Sequence, residues 1–161
     1  MNRDTLIKPL EKVAPIVTHW SVEPMALPLW TVSQSGGAPP GKPCGLWLSD
    51  ESDFGWREWC KGEDWNLGAL AHRTDFTLDL TGILHLSTMK DLLRFTRKYQ
   101  LAEVNTLHRF TLDWPAVAAE YDGIFISPYC HEARFDLSWY YGWDCASACI
   151  WQPRCLTRHE P

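Results

Sequence analysis

The chain has 161 residues, a formal net charge of −5 at neutral pH and ten tryptophans, far more than ordinary usage. This length suits a single domain with a substantial hydrophobic core. An acidic chain without a long basic run is poorly suited to nonspecific binding of nucleic acid through its phosphates, and no segment has the length and apolarity of a transmembrane helix.

The cysteines are expected to be reduced thiols of a cytoplasmic protein. The N-terminal residues lack the apolar run of a secretory signal, and disulfides are rare in the reducing compartments of the cell. Cys145 and Cys149 are four residues apart, with Cys155 beyond and Cys130 upstream, a spacing that matches no familiar zinc site. We therefore expect no bound metal, and instead cysteines that act as small buried hydrophobic side chains.

The first part of the chain is predicted to contain two strands and a helix. Residues 1–14 are polar and form a short lead-in, which is followed by a strand at 15–20. Glycine and proline punctuate residues 33–43, and this predicts a loop. A second strand at 45–49 precedes a short helix at 54–61, where apolar residues recur at helical spacing.

The middle of the chain is predicted to form a hairpin and a helix. Residues 74–80 alternate polar and apolar side chains, and a Thr-Gly turn separates them from a strand at 83–86, which together predict a β-hairpin. The clearest helical pattern covers residues 89–99, where Thr88 and Asp91 have the spacing of a capping box.

The last part of the chain mixes both element types. Asp113 and Pro115 have the pattern of a helix start, and residues 124–127 form a short apolar run typical of a buried strand. One or two further strands are expected around Tyr140 and Ile150.

Strands and helices do not alternate regularly along the chain, which favours an α+β fold over a doubly wound sheet. We expect a single compact domain at 15–155, built on a mixed or antiparallel sheet that short helices flank. The last residues, 156–161, are expected to form a tail.

Residues 138–151, with the sequence SWYYGWDCASACIW, form the most unusual segment, in which aromatic rings surround one acid, Asp144. Rings with a polar handle suit the wall of a cleft that takes a planar ligand, and they also suit an aromatic core. Asp144 can cap the backbone of residues 146–150. Alternatively, it can hold a sugar hydroxyl or stabilise the cationic transition state of glycosyl transfer.

Three further residues are candidates for ligand binding. His19 lies at the end of the first predicted strand, where it is either a hydrogen-bonded structural histidine or a group that donates to a ribose hydroxyl. Trp47 and Ser49 alternate along the second strand and therefore face the same side. A ring and a hydroxyl on one face can stack on a nicotinamide and orient its amide.

This combination of segments resembles the ADP-ribosyltransferase family. VTHWSVEPM resembles the opening strand and turn of that family, and KPCGLWLS with the Trp-containing helix after it resembles the second strand and helix. YDGIFIS and WYYGWDCASACIW resemble its closing strands. Members of the family cleave NAD at the nicotinamide–ribose bond and transfer ADP-ribose, and the chain is similar to small phage and bacterial proteins of this type.

The resemblance implies a split sheet and NAD as a substrate. His19 would orient the ribose of NAD, and Asp144 would act as the catalytic acid. Trp47 and Ser49 would hold the nicotinamide.

Two rings would complete the implied site, Trp56 by closing the pocket and Tyr140 by adding a stacking wall. The direction of the strand can equally bury Tyr140. The implied partner is a macromolecule of a host or of a defence system, in the first instance a protein. If a phage encodes the chain, its location would be the cytoplasm of the host cell.

Two other functions fit the sequence. The catalytic acid of the family is usually Glu, which has no clear counterpart here, and this favours a noncatalytic protein that binds and inhibits a partner through an aromatic, acidic surface. An aromatic-lined module that binds glycans is the third alternative. The enzyme hypothesis requires that His19, Trp47 and Asp144 converge on one concave site.

Overall fold

The computed structural model describes residues 13–34, 42–101 and 112–159. Most of the predicted lead-in at 1–14 and of the predicted loop at 33–43 lies outside these residues. The strands are β1 (Ile16–Ser21), β2 (Leu46–Ser49), β3 (His72–Leu78), β4 (Ile83–Leu86), β5 (Gly123–Ile126), β6 (Ser147–Ile150) and β7 (Leu156–Arg158). The α-helices are α1 (Trp56–Gly62), α2 (Met89–Tyr99), α3 (Trp114–Glu120) and α4 (Ala133–Asp136).

The seven strands of the described residues form one curled sheet in the order β4-β5-β6-β2-β1-β3-β7. β4 and β5 are parallel, and the other neighbours are antiparallel. The structure therefore confirms the predicted α+β class, the single domain and the mixed sheet.

The helix starts follow from local hydrogen bonds. Thr88 caps α2, since its hydroxyl oxygen accepts a hydrogen bond from the Asp91 amide at 3.2 Å and donates to the Asp91 carboxylate at 2.7 Å. Asp113 caps α3 in the same way by accepting from the Ala116 amide at 3.0 Å. Both predicted helix starts are confirmed.

The predicted hairpin of residues 74–80 and 83–86 is wrong. β3 pairs with β1 along one edge and with β7 along the other, so neither edge is free for β4. β4 instead lies at the opposite end of the sheet, parallel to β5. β7 is formed by residues from the segment that we expected to be a tail.

Two apolar clusters pack on the sheet. The larger one is rich in aromatic rings and includes Trp114, Trp139, Tyr140, Trp143 and Trp151. The smaller one contains aliphatic side chains together with Phe76 and Phe125.

Most rings of the segment 138–151 therefore belong to the core. An aromatic core was one of the two interpretations of this segment. The indole N–H of Trp139 donates to the Thr96 hydroxyl at 2.8 Å, and that of Trp151 donates to the Tyr121 carbonyl at 2.6 Å. Within the described ranges, no helix has both the length and the apolar character needed to cross a membrane.

The pairing between β1 and β2 is interrupted. β1 and β3 stay in register from Ile16 to Ser21, whereas β1 and β2 are in register only where Thr18 faces Ser49. Beyond this position the two strands are not paired, and a cavity opens beside them.

Candidate functional site

The cavity at the break between β1 and β2 has a volume of about 360 Å³. It is bordered by both strands, by the start of α1, by the 3₁₀ turn Leu67–Leu70 and by the residues that lead into β6. Five of the residues that we selected from the sequence line it, and these are His19, Trp47, Ser49, Trp56 and Asp144.

His19 spans the gap between the two strands. Its Nδ1 lies 3.0 Å from the Trp47 carbonyl oxygen. Because a carbonyl can only accept a hydrogen bond, Nδ1 must carry the proton, and Nε2 of the neutral ring is then an acceptor. A neutral His19 therefore offers an acceptor to a ligand hydroxyl, where the sequence had suggested a donor.

Trp47 connects the cavity to the aromatic core. Its ring lies edge to face against the buried Trp143, with 4.7 Å between the ring centroids. The ammonium of Lys42 lies 5.4 Å from the Trp47 ring centroid. The Trp47 ring thus packs against the core through Trp143 and contacts the Lys42 ammonium at the cavity.

Ser49 is oriented by Glu51, a residue that the sequence analysis missed. The Ser49 hydroxyl donates to Oε1 of Glu51, and the same oxygen accepts from the Trp20 indole N–H at 3.0 Å. With its proton committed to Glu51, Ser49 presents lone pairs rather than a proton to the cavity, and so it suits a ligand amide N–H. Glu51 lies in the turn after the end of β2, so strand alternation could not have identified this carboxylate.

Asp144 provides a carboxylate in the cavity wall. Its side chain is 23% exposed, and one oxygen lies 3.6 Å from the Arg134 guanidinium. Burial raises the pKa of Asp144, while the positive charges of Lys42 and Arg134 act in the opposite direction. Among the described residues Asp144 makes no hydrogen bond to the backbone of 146–150, so it does not act as the cap that we considered.

Trp56 belongs to a cluster of three indoles. It is stacked on Trp59 with 4.9 Å between the ring centroids, and Trp65 packs edge-on against both rings. Trp65 is 50% exposed. Trp56 therefore lines the cavity while its ring packs against two other indoles.

Cys145 also lines the cavity but does not suit a nucleophilic role. The residue is 4% exposed, and burial raises the pKa of its thiol to about 12. A thiol with such a pKa is almost fully protonated at neutral pH, whereas the thiolate is the reactive form. In the part of the chain that the structure describes, no group of three or more potential metal ligands comes together.

Tyr140 is the predicted site residue that does not line the cavity. It begins the 3₁₀ turn Tyr140–Gly142 rather than a strand, and its side chain is fully buried. Its hydroxyl oxygen accepts a hydrogen bond from the Cys130 amide at 3.1 Å. The aromatic residues here are core side chains around a turn, so the β-propensity of the segment was misleading at this position.

Comparisons of the chain with protein-family models, with curated proteins and with solved structures found no match. The side chains that meet in the cavity are therefore the evidence for a function.

Proposed function

We propose that the chain is an NAD-dependent ADP-ribosyltransferase-like enzyme, which cleaves the nicotinamide–ribose bond and modifies a macromolecule of a host or of a defence system. The main support is the convergence of His19, Trp47 and Asp144, which are distant in sequence, on one cavity at the break between β1 and β2. A noncatalytic protein would not require these three residue types to meet in a concave site.

The cavity offers complementary groups to the nicotinamide end of NAD. The rings of Trp47 and Trp56 provide aromatic surface for a planar heterocycle. Ser49, whose proton is held by Glu51, can accept a hydrogen bond from the carboxamide. In the neutral form of His19, Nε2 can accept one from a ribose hydroxyl.

The proposed reaction develops positive charge on the ribose, and the Asp144 carboxylate can stabilise it. When the bond between the ribose C1′ and the nicotinamide nitrogen breaks, the electron pair leaves with neutral nicotinamide and positive charge develops on the ribose. A carboxylate stabilises this oxocarbenium character, as in other glycosyl transfers. A nucleophile of the target then bonds to C1′ and loses its proton, which gives the ADP-ribosylated target, nicotinamide and a proton.

The first test is NAD binding, followed by intrinsic tryptophan fluorescence and by thermal shift. We expect saturable quenching, since the ligand would contact Trp47 and Trp56. His19→Ala should lose this response. His72→Ala is the matched control, because His72 is an exposed histidine in β3 that does not line the cavity. Absence of any response at millimolar NAD, or equal binding by His19→Ala, would contradict the proposal.

A second function, noncatalytic binding of a partner protein, is favoured by an exposed aromatic pair. Phe135 is 82% exposed and Tyr141 is 57% exposed, and their ring centroids are 6.4 Å apart. The Arg134 guanidinium lies 5.3 Å from the Tyr141 ring centroid. Tyr and Arg are enriched in the energetic centres of protein interfaces. Under this alternative NAD has no effect, and Phe135→Ser with Tyr141→Ser abolishes capture of the partner while His19→Ala does not.

A further inference from the structure

Lys42 brings a positive charge to the wall of the cavity. It is the one lysine or arginine among the described residues that line this space. Its side chain is half-buried and packs beside the Trp47 ring, with the ammonium 5.4 Å from the ring centroid. The Lys42 charge is therefore held at the cavity wall beside the Trp47 ring.

This charge has no close ion-pair partner among the described residues. The Asp144 carboxylate, on which the Lys42 charge acts from a longer distance, is paired with Arg134 at 3.6 Å. A partly buried cation without an ion-pair partner favours an anionic ligand, since a bound negative charge offsets its desolvation.

Gly142 makes room for the Lys42 side chain. A Cβ atom at Gly142 would lie 2.9 Å from Cε of Lys42, which is closer than such contacts normally come. The backbone of Gly142 is outside the left-handed region, so alanine can adopt its conformation. Gly142 is therefore a positioning residue for the Lys42 ammonium.

We propose that Lys42 binds the phosphate attached to the nicotinamide ribose, so that the cavity recognises a nicotinamide mononucleotide unit. The cavity wall then matches both charges of that unit, with Asp144 near the cationic heterocycle and its ribose, and Lys42 near the anionic phosphate. This inference rests on the proposed function, and it identifies the part of NAD that determines affinity.

The test compares nicotinamide mononucleotide with nicotinamide riboside, which lacks the phosphate. Wild-type protein should bind the mononucleotide about 10- to 100-fold more tightly, the range expected for one hydrogen bond to a charged group. Lys42→Met should reduce this ratio to near one by weakening mononucleotide binding without weakening riboside binding. Increasing salt should reduce the wild-type ratio as well.

Three further variants separate charge from structure. Lys42→Arg should keep part of the preference, because the positive charge remains. Gly142→Ala should lower the preference without any change of charge, because the added methyl displaces the Lys42 side chain. Lys90→Met should resemble the wild type, since Lys90 is an exposed residue of α2 away from the cavity.

The outcomes distinguish this inference from the proposed function. If NAD binds but Lys42→Met keeps the wild-type ratio, or if the wild type binds both ligands equally, the role of Lys42 is overturned and the proposed function stands. If the wild type binds neither NAD nor the mononucleotide, both proposals are overturned. Loss of preference in Lys42→Met and in Gly142→Ala supports the inference even when one variant is less stable.

Discussion

Asp144 is subject to two opposing demands. Its place in the cavity wall removes water from the carboxylate, and burial accordingly raises its pKa above the ordinary value of 3.8. The proposed reaction requires the ionised form, because only a carboxylate stabilises positive charge on the ribose. Retention of a partly buried acid at some cost to stability is typical of a functional site.

Asp144→Asn should separate activity from stability. We expect NAD cleavage to fall by about 100- to 1000-fold, the range for loss of one electrostatic group that stabilises the transition state. The folded state binds a proton on Asp144 more tightly than the unfolded chain does, so ionised Asp144 costs stability at neutral pH. The variant should therefore have a Tm at neutral pH equal to or above that of the wild type.

The pH dependence of the same variant checks the sign of this effect. The cost of the ionised Asp144 disappears as the pH falls below its unfolded pKa, near 3.8, so any Tm difference should vanish there. Asp136→Asn, which changes an exposed acid of α4, should leave both activity and Tm unchanged. A strongly destabilised Asp144→Asn protein at neutral pH would instead mean that the Arg134 ion pair is structural.

At the scale of elements, the cavity follows from unequal pairing on the two sides of β2. A Cβ atom at Gly45 would lie 2.6 Å from the Ile150 carbonyl oxygen, so the absence of a side chain lets the chain approach β6 closely just before β2 begins. On its other side, β2 meets β1 in register only at Ser49 and Thr18. The sheet is thus closed between β2 and β6 and open between β2 and β1.

A buried carboxylate joins the ends of β2 and β5 near the cavity. Asp50 is 6% exposed, and its two oxygens accept hydrogen bonds from the Ser127 hydroxyl at 2.7 Å and from the Ser52 hydroxyl at 2.6 Å. The Asp50 amide donates to the Ala146 carbonyl at 2.8 Å. This bond connects the corner formed by Asp50, Ser52 and Ser127 to the segment that carries Asp144. The corner therefore fixes one wall of the cavity.

Removal of the Ser127 hydroxyl should weaken this corner. Ser127→Ala leaves one buried oxygen of Asp50 without its partner, and we expect the free energy of unfolding to fall by about 1–3 kcal/mol. Ser52→Ala is the matched control: Ser52 is exposed, and water can replace its hydroxyl at a cost of about 0.5 kcal/mol or less. Urea unfolding measures both values. Equal losses in the two variants would show that the buried position of Ser127 is unimportant.

The elements differ in how far the sequence determines them locally. α2 begins and ends where residues 89–99 predicted, because its cap at Thr88 and its apolar spacing lie within the helix itself. The partner of β4 depends on which strand edges remain free after β1 and β7 have paired with β3, and a local pattern carries no such information.

The same distinction applies to the candidate site. Trp47 and Ser49 could be placed together by strand alternation, and their selection with His19 and Asp144 rested on chemistry and on family resemblance. The hydrogen bond from His19 to the Trp47 carbonyl could not be predicted, because it depends on how far β1 and β2 separate. The burial of Tyr140 depends on the core rings that pack against it and on the Cys130 amide that donates to its hydroxyl.

At the scale of the whole molecule, the cysteines differ in how far the core buries their thiols. All six are free thiols, and Cys60, Cys145, Cys149 and Cys155 are buried. Burial raises the pKa of each of these four thiols, to about 11 for Cys155 and about 12 for Cys145. Cys44 and Cys130 are only half-buried. The folded protein therefore contains two accessible and four protected thiols.

A thiol-specific reagent should resolve these two classes. At neutral pH we expect rapid modification of two thiols in the folded protein and of six after denaturation, because four become accessible only when the core opens. Cys44→Ser and Cys130→Ser should each remove one rapid thiol, whereas Cys149→Ser should leave the rapid phase unchanged. Fewer than six thiols in the denatured protein, restored by a reductant, would reveal a disulfide and contradict the reduced core. Rapid modification of Cys145 would instead show that the cavity wall beside Asp144 opens in solution, and the cavity would then have to be treated as a transient feature of the fold.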